Sequence, residues 1–451
     1  MERESWKSRL GFTFAAVGSA VGLANIWKFP YIVGKNGGAA FIAVYLICLL
    51  LIGFPVFIAE IVIGRKGRKN PCGAMSLLGG GPIWRIAGAL ILATGFIVSS
   101  FYSVVAGWIL GYIVEAFSGS LSSFDSAQES VKHYDSLIAS PFWTIGFHLF
   151  FMLLCVLVLF GGVRKGIEKG TSFLMPILML VLFGLVIKGL TLSGAKEGLH
   201  FLLSPDWSLL TPAAIVTALG HSFFTLSLGQ GTMITYGSYL PKEENIIASC
   251  FPVAILDTLV SILSAVAVFT IVFSVGIEPS SGPALIFHTL PYVFSQIPGG
   301  YLAAIFFFFL VALAALTSEI SAMEPLIAYF VDEKGWKRKH AVCVSGLGAF
   351  LLGVPSALSS NLLSNWTLWE ATFFDAINFI ATSVMIPVGG FIAVILVGWA
   401  WGAQEAIEHL KYGAGSFFRK SKYLHVYFSF CFKYITPILI VFVFFHALGV
   451  L

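Results

Sequence analysis

Apolar residues recur along this chain in long unbroken runs rather than at helical or alternating intervals. Eleven runs stand out, at about 10–34, 38–63, 83–117, 141–160, 167–188, 212–236, 247–275, 298–331, 340–354, 372–401 and 434–451. A helix crosses a bilayer with about 20 apolar residues, whereas a barrel strand needs about 10 of alternating polarity. The pattern therefore predicts a bundle of eleven membrane helices, the ninth being short. Only helices and closed barrels satisfy their backbone groups within lipid. The stretch near 280–296 is apolar but broken by Pro and Gly, and reads as a helical loop on the membrane surface. The polar segment 118–140 is long enough to cover an entrance, and 402–432 reads as an amphipathic helix. The first run follows MERESWKSRL without a small-residue cleavage site, so it is expected to be retained.

Composition sharpens this picture. Apolar residues make up 58% of 451 positions and charged residues 11%, against roughly 45–50% and 25% in soluble domains. A soluble enzyme, a nucleic-acid binder and a disordered chain are excluded. Charge is distributed unevenly. Arg65, Lys66, Arg68 and Lys69, then Arg164, Lys165 and Lys169, then Lys334, Lys337, Arg338 and Lys339, then Arg419, Lys420 and Lys422 occupy alternate loops. Only Lys35, Lys132, Lys188 and Lys196 fall on the opposite side. The positive-inside rule then places the N-terminus in the cytoplasm and, with an odd number of spans, the C-terminus outside. The six cysteines and nine histidines are scattered, with no metal-ligand spacing.

Two runs carry irregularities at their midpoints: GSAVGLAN (Gly18–Asn25) in the first and TLSLGQG (Thr225–Gly231) in the sixth. Gly weakens a helix interior, and Ser, Thr and Asn compete for its backbone hydrogen bonds. The two runs are five apart, so five-helix units in series have opposite topology. That is the pointer to a secondary transporter with inverted repeats. Ordinary packing glycines leave the same trace.

The segment RLGFTFAAVGSAVGLANIWKFPYIVGKNGGAAF (Arg9–Phe41) closely resembles the first span of the neurotransmitter:sodium symporter family. FFTLSLGQGTMITYGSYL (Phe223–Leu240) resembles that family's broken sixth span, and ALTSEISAMEPLIAYFVDE (Ala315–Glu333) its eighth. The resemblance covers nearly the whole chain, and eleven spans resemble some bacterial amino-acid members. It implies an all-α, LeuT-like fold: a first repeat at 1–205, an inverted second repeat at 206–410, and a linker with helix 11 at 411–451. It implies a multi-pass protein of the plasma membrane, here a bacterial inner membrane, that imports L-amino acids with sodium.

Further implications of the resemblance concern single residues. The substrate carboxylate would be met by the N–H groups of Leu23 and Ala24 and by the Tyr102 hydroxyl. Its ammonium would be met by the carbonyls of Ala20, Phe224 and Thr225 with Ser227. Val98, Tyr102, Phe224, Gln230, Ser318 and Ala322 would line the side-chain pocket, where small residues imply hydrophobic or aromatic substrates. One sodium ion would take Ala20, Asn25, Thr225, Asp257 and the substrate carboxylate. A second would take the carbonyls of Gly18, Val21 and Ala314 and the hydroxyls of Thr317 and Ser318. Thr317 and Ser318 could equally bond back to their own turn. Asp257 stands where the family usually has Asn. Near it Tyr45, Thr225 and Ser261 match the chloride ligands of chloride-dependent members, but His221 replaces their Gln. A fixed carboxylate at Asp257 is therefore expected to substitute for chloride.

The gates follow the same way. Tyr102 and Phe224 would form the outer lid. Lys28 and Asn378 replace the family's outer Arg–Asp pair, with Asp375 as another partner for Lys28. Arg3 and Asp332 match the inner pair, with Trp6, Ser238 and Tyr239 around it. Gly166 and Pro176 bracket the segment that the family unwinds to release sodium inward. Glu60 matches a Glu bracing the sixth span, whereas Glu319 and Glu324 have no assigned role. A proton-coupled transporter of the same fold is the alternative. A channel lacks a pore-loop motif, and an enzyme lacks a nucleophile–base set. Small-molecule substrate, sodium, lipid and a possible second copy are the expected partners, with no nucleic acid and no chloride.

Overall fold

The computed structural model describes residues 4–276 and 285–449. Nine helices among them are long and apolar enough to cross a membrane: Ala39–Gly67, Pro82–Ser118, Pro141–Leu159, Val163–Leu190, Ile246–Phe273, Gly300–Lys334, Arg338–Leu358, Phe373–Ala400 and Lys422–Ala447. The first run forms a bent pair, Arg9–Ala20 and Ala24–Lys35, at 57°. The sixth forms Pro212–Phe224 and, after seven residues, Thr232–Ser238. These fill the eleven positions read from the hydropathy.

Local chemistry sets the starts. The Ser8 hydroxyl accepts from Gly11 N–H at the head of the first span (2.9 Å). Thr211 caps Pro212–Phe224 through Ala214 N–H (3.2 Å), with Pro in its first turn. Asn245 caps Ile246–Phe273 through Ala248 N–H (3.1 Å). The long helix Gly300–Lys334 packs along Pro82–Ser118, while Arg9–Ala20 lies against Gly300–Lys334 and Ile246–Phe273. Polarity is inverted relative to a soluble protein. Asn25, Glu60, Asp257, Thr317 and Glu324 are fully buried, while Phe142, Phe173, Leu180 and Ile83 are exposed. Ionisable groups thus face the bundle interior and apolar side chains face outward, as lipid requires.

Two expectations change. The ninth helix is not short; Arg338–Leu358 extends through a Gly/Ser/Pro-bearing tail that hydropathy alone discounts. The last helix begins at Lys422, twelve residues before the expected start. Its aromatic first half (KYLHVYFSF) joins the span, leaving Ala403–Lys411 as the amphipathic helix of the preceding segment. Of the stretch near 280–296, expected to be a helical loop and not a span, residues 280–284 lie outside the described residues. Its described part, 285–296, is helical and buried: Phe287 packs against Tyr112 and Trp108, and the Tyr112 hydroxyl donates to Phe287 O (3.1 Å). Helix Ala127–Ile138 of the 118–140 segment lies over it, Ser130 donating to His288 O (2.8 Å). A two-stranded ribbon, Thr367–Leu368 with Ala371–Thr372, turns through Trp369 and Glu370 between the ninth and tenth spans.

Candidate functional site

The first helix ends because Val21 adopts an extended conformation (φ −73°, ψ 100°). The next half-helix then starts at Ala24 with first-turn N–H groups that have no intrahelical acceptor. Asn25 stabilises the break, its Oδ1 accepting from Gly22 N–H (2.9 Å). In the sixth run Ser227, Gly229 and Gly231 all have positive φ (54°, 75° and 84°). Three left-handed residues in five positions cannot continue a right-handed helix. Ser227 is the strained one, and its hydroxyl donates to Ser19 O (2.7 Å), tying the two breaks together. Gly229 cannot carry a side chain here, since a Cβ would stand 2.1 Å from Ile386 O. Its N–H donates to Glu60 Oε1 (2.6 Å), so Glu60 does brace this break.

Between the breaks lies a cavity with about 50 Å³ open to the centre of a water molecule. All eleven residues expected to meet a substrate line it: Ala20, Leu23, Ala24, Val98, Tyr102, Phe224, Thr225, Ser227, Gln230, Ser318 and Ala322. Ser19, Gly22, Leu228, Glu319 and Ile386 line it too and were not foreseen. Leu23 N–H donates to the Tyr102 hydroxyl (3.4 Å).

Two oxygen clusters flank the cavity. In one, Asn25 Nδ2, with two protons to donate, lies within hydrogen-bond distance of Asp257 Oδ1 (2.7 Å), Thr225 Oγ1 (3.0 Å) and Ser261 Oγ (2.9 Å). The Thr225 hydroxyl reaches both Asp257 oxygens (3.0 and 2.9 Å). In the other, Ser318 Oγ lies 3.3, 3.0 and 3.2 Å from the carbonyls of Gly18, Ser19 and Val21. One hydroxyl has a single proton, so three carbonyls converge there with lone pairs to spare. Thr317 bonds back to Leu313 O and Ala314 O, both 3.1 Å. Asn25 turns its NH2 into the first cluster while its Oδ1 accepts from Gly22 N–H; the other groups of both clusters are oxygens, which suit a hard cation such as sodium. Beside the first cluster, Tyr45 and His221 pack with ring centroids 5.5 Å apart. The Tyr45 hydroxyl and both His221 ring nitrogens are buried without a hydrogen bond among the described residues.

Above the cavity, Phe224 and Ile386 also border a second cavity of about 180 Å³ containing Lys28 and His221. The outer latch differs from expectation. Lys28 Nζ stands 5.0 Å from the centre of the Phe224 ring and forms no ion pair among the described residues. Asp375 is instead engaged with its own cap, accepting from the Thr372 hydroxyl (2.7 Å) and leaving Lys28 a cation–π contact. Neither Asn378 nor Asp375 meets it.

Below, Trp6 is 3% exposed, its N–H donating to Tyr239 O (3.1 Å) and its Nε1–H to Tyr236 O (3.0 Å). Asp332 accepts from Asn70 N–H (2.8 Å); its expected partner Arg3 lies outside the described residues. Sequence reasoning missed the bonds that hold this end. Glu324 and Arg338 form a two-pronged ion pair (2.8 and 2.7 Å), and the Tyr239 hydroxyl donates to Glu324 (2.7 Å). Glu168 accepts from Lys7 N–H (2.8 Å) and Ser8 Oγ (3.2 Å), pinning the N-terminal segment to the fifth span. Gly166 lies in a wide first turn, Val163–Glu168, and Pro176 inside Lys169–Leu190, so the segment they bracket is wound here.

Comparison with known proteins agrees with this architecture. A family model described as the sodium:neurotransmitter symporter family matches residues 3–136 and 138–450. The Bacillus subtilis (strain 168) protein YhdH, named an uncharacterized sodium-dependent transporter, is 40% identical over 446 residues, covering 99% of this chain and 98% of that protein. An uncharacterized sodium-dependent transporter of Haemophilus influenzae is 35% identical, covering 98% of each. The crystal structure of MhsT in complex with L-phenylalanine superimposes with a TM-score of 0.89 at 41% identity, covering 99% of this chain and 100% of that one.

Proposed function

The chain belongs to the sodium:neurotransmitter symporter family, and from that premise we propose that it imports hydrophobic and aromatic L-amino acids without chloride. It is a multi-pass membrane transporter of the LeuT-like fold that depends on sodium. The single observation carrying the substrate reading is the cavity between the two breaks. A zwitterion within a membrane needs both its charges met locally. The N–H groups opening the half-helix at Ala24 suit a carboxylate, and the carbonyls of the other half-helices suit an ammonium. The MhsT structure, bound to L-phenylalanine, supports an amino acid as the occupant.

Two sodium ions accompany the substrate in this reading. One sits among Ala20, Asn25, Thr225 and Asp257 and shares the substrate carboxylate, which couples the two bindings directly. The other sits among Gly18, Val21, Ala314, Thr317 and Ser318. The Asp257 carboxylate supplies the negative charge near Tyr45, His221, Thr225 and Ser261 that makes chloride dispensable. Tyr102, Phe224 and Lys28 close the outer side; Trp6, Asp332 and Arg3 close the inner side, and unwinding between Gly166 and Pro176 releases sodium inward. The repeats span 1–205 and 206–410, with the N-terminus in the cytoplasm of a bacterial cell and the C-terminus outside.

Purified protein in liposomes tests this reading. Inward sodium should drive accumulation of labelled phenylalanine with chloride replaced by gluconate and with the proton gradient collapsed. Accumulation that stops when the proton gradient is collapsed would favour the proton-coupled alternative.

A further inference from the structure

The central cavity contains more hydrogen-bond acceptors than an amino-acid backbone can use. Glu319 is 1% exposed and lines the cavity, yet neither of its carboxylate oxygens has a hydrogen-bond partner among the described residues. Gln230 Oε1 lines the same space and is likewise without a donor. The Ser99 hydroxyl on the third span interacts with the Glu319 carboxylate only weakly, outside normal hydrogen-bond geometry. A carboxylate left without donors in a buried site is an exception among native structures, and each such case calls for a physical cause.

The backbone of a bound amino acid does not supply that cause. Its ammonium is directed to the carbonyls of the two breaks and to Ser227. Glu319 instead lies one residue beyond Ser318 and one turn before Ala322, facing the third span beside Val98 and Ser99. The sixth and eighth spans meet the third at Gly95, where a Cβ would stand 2.6 Å from Gln230 O and 3.5 Å from Ala322 O. Glu319 and Gln230 therefore flank the side-chain end of the cavity. The remaining wall there is apolar: Val98, Phe224, Leu228, Ala322 and Ile386. An apolar wall with acceptors at its edge matches a flat apolar side chain that carries a donor at its rim.

We propose that Glu319, assisted by Gln230, makes this transporter select aromatic amino acids whose ring bears an N–H or O–H donor, an indole or a phenol, over isosteres that lack one. The inference rests on the amino-acid reading of the cavity given above. Its physical basis is that a site built around unpaired acceptors rejects a ligand that leaves them unpaired, far more strongly than an apolar pocket rejects a change of size.

The test is competition against sodium-driven uptake of labelled tryptophan in liposomes holding the full chain. Two matched pairs serve as competitors: tryptophan with 3-benzothienylalanine, whose ring sulfur replaces the indole N–H, and tyrosine with phenylalanine. The donor-bearing member of each pair should compete at a concentration at least about tenfold lower. In Glu319→Leu that ratio should fall to about twofold or less, and Glu319→Gln, which keeps one acceptor, should fall between. A wild-type ratio within about twofold, a ratio unchanged in Glu319→Leu, or strong competition by lysine or arginine overturns the proposal. Should Glu319→Leu fail to accumulate as folded protein, the wild-type ratios decide alone. Sodium-driven uptake that ignores the donor overturns this inference only, whereas competition by none of the twenty amino acids overturns the underlying reading as well.

Discussion

Asp257→Asn is the most informative single change, because it alters charge while preserving shape. The carboxylate accepts from Asn25 Nδ2 at 2.7 Å and from Thr225 Oγ1 at 3.0 and 2.9 Å. An amide of the same size keeps the Asn25 bond on its oxygen, and its NH2 donates to the Thr225 hydroxyl, which can turn to accept. Packing and hydrogen-bond count are thus nearly conserved, and the thermal midpoint in detergent should stay near wild type. The lost quantity is one negative charge beside a cation. Interactions with a charged partner contribute about 1.5–3 kcal/mol each, and about 1.4 kcal/mol is a factor of ten. The sodium concentration for half-maximal uptake should therefore rise roughly 10- to 150-fold in chloride-free medium. Chloride should recover part of that loss, since an anion held near Tyr45, Ser261 and His221 restores the missing charge. The assay is labelled phenylalanine uptake into liposomes over graded external sodium, in gluconate and in chloride. A variant with wild-type sodium dependence in both media would refute the assignment of Asp257 to sodium and to charge substitution.

Four further outcomes follow from the geometry. Gly229→Ala places a Cβ 2.1 Å from Ile386 O at φ 75°; the left-handed backbone alone costs about 1–2 kcal/mol, so uptake should fall more than about tenfold at equal membrane expression. Arg338→Ala strands the buried Glu324 carboxylate (side-chain exposures 18% and 0%) and should cost about 3–5 kcal/mol, read as a lowered thermal midpoint that adding Glu324→Gln largely restores. His409 lies outside the spans, its pKa lowered to about 4 by burial and then by the positive charges of Arg65, Lys66 and Lys242. The unfolded chain binds that proton more readily, so stability should decline as pH falls from about 6.5 toward 4, with His409→Gln flattening that part of a melting-temperature profile. Lys28→Gln removes the cation from the Phe224 ring and should weaken closure by about 0.5–2 kcal/mol, measured as faster solvent accessibility of a cysteine placed in the outer cavity.

The sequence was most informative where one-dimensional patterns carry the physics. Helices within a membrane are set by length and hydropathy, so ten of the eleven begin within a few residues of the expected starts. The break at Thr225–Gly231 was visible as glycine and hydroxyl density, because the left-handed φ values of Gly229 and Gly231 demand glycine. Contacts between distant helices carry no such signature. Glu324 and Arg338 sit fourteen residues apart on different helices, and nothing in either segment states that they meet. Lys28 invited a carboxylate partner, but Asp375 was already taken by the Thr372 cap, a local competition that linear spacing does not weigh. The last helix began early because Tyr and Phe near Lys422 are apolar enough to extend it, while the charges around them suggested a surface segment.

The account depends above all on whether the cavity between the two breaks couples an amino acid to sodium. The most direct measurement is accumulation of labelled L-phenylalanine by purified protein in liposomes under an imposed inward sodium gradient, with chloride absent and the proton gradient collapsed. The account predicts uptake that overshoots equilibrium and disappears when sodium is equalised across the membrane. Simple equilibration, or accumulation indifferent to sodium, would contradict it.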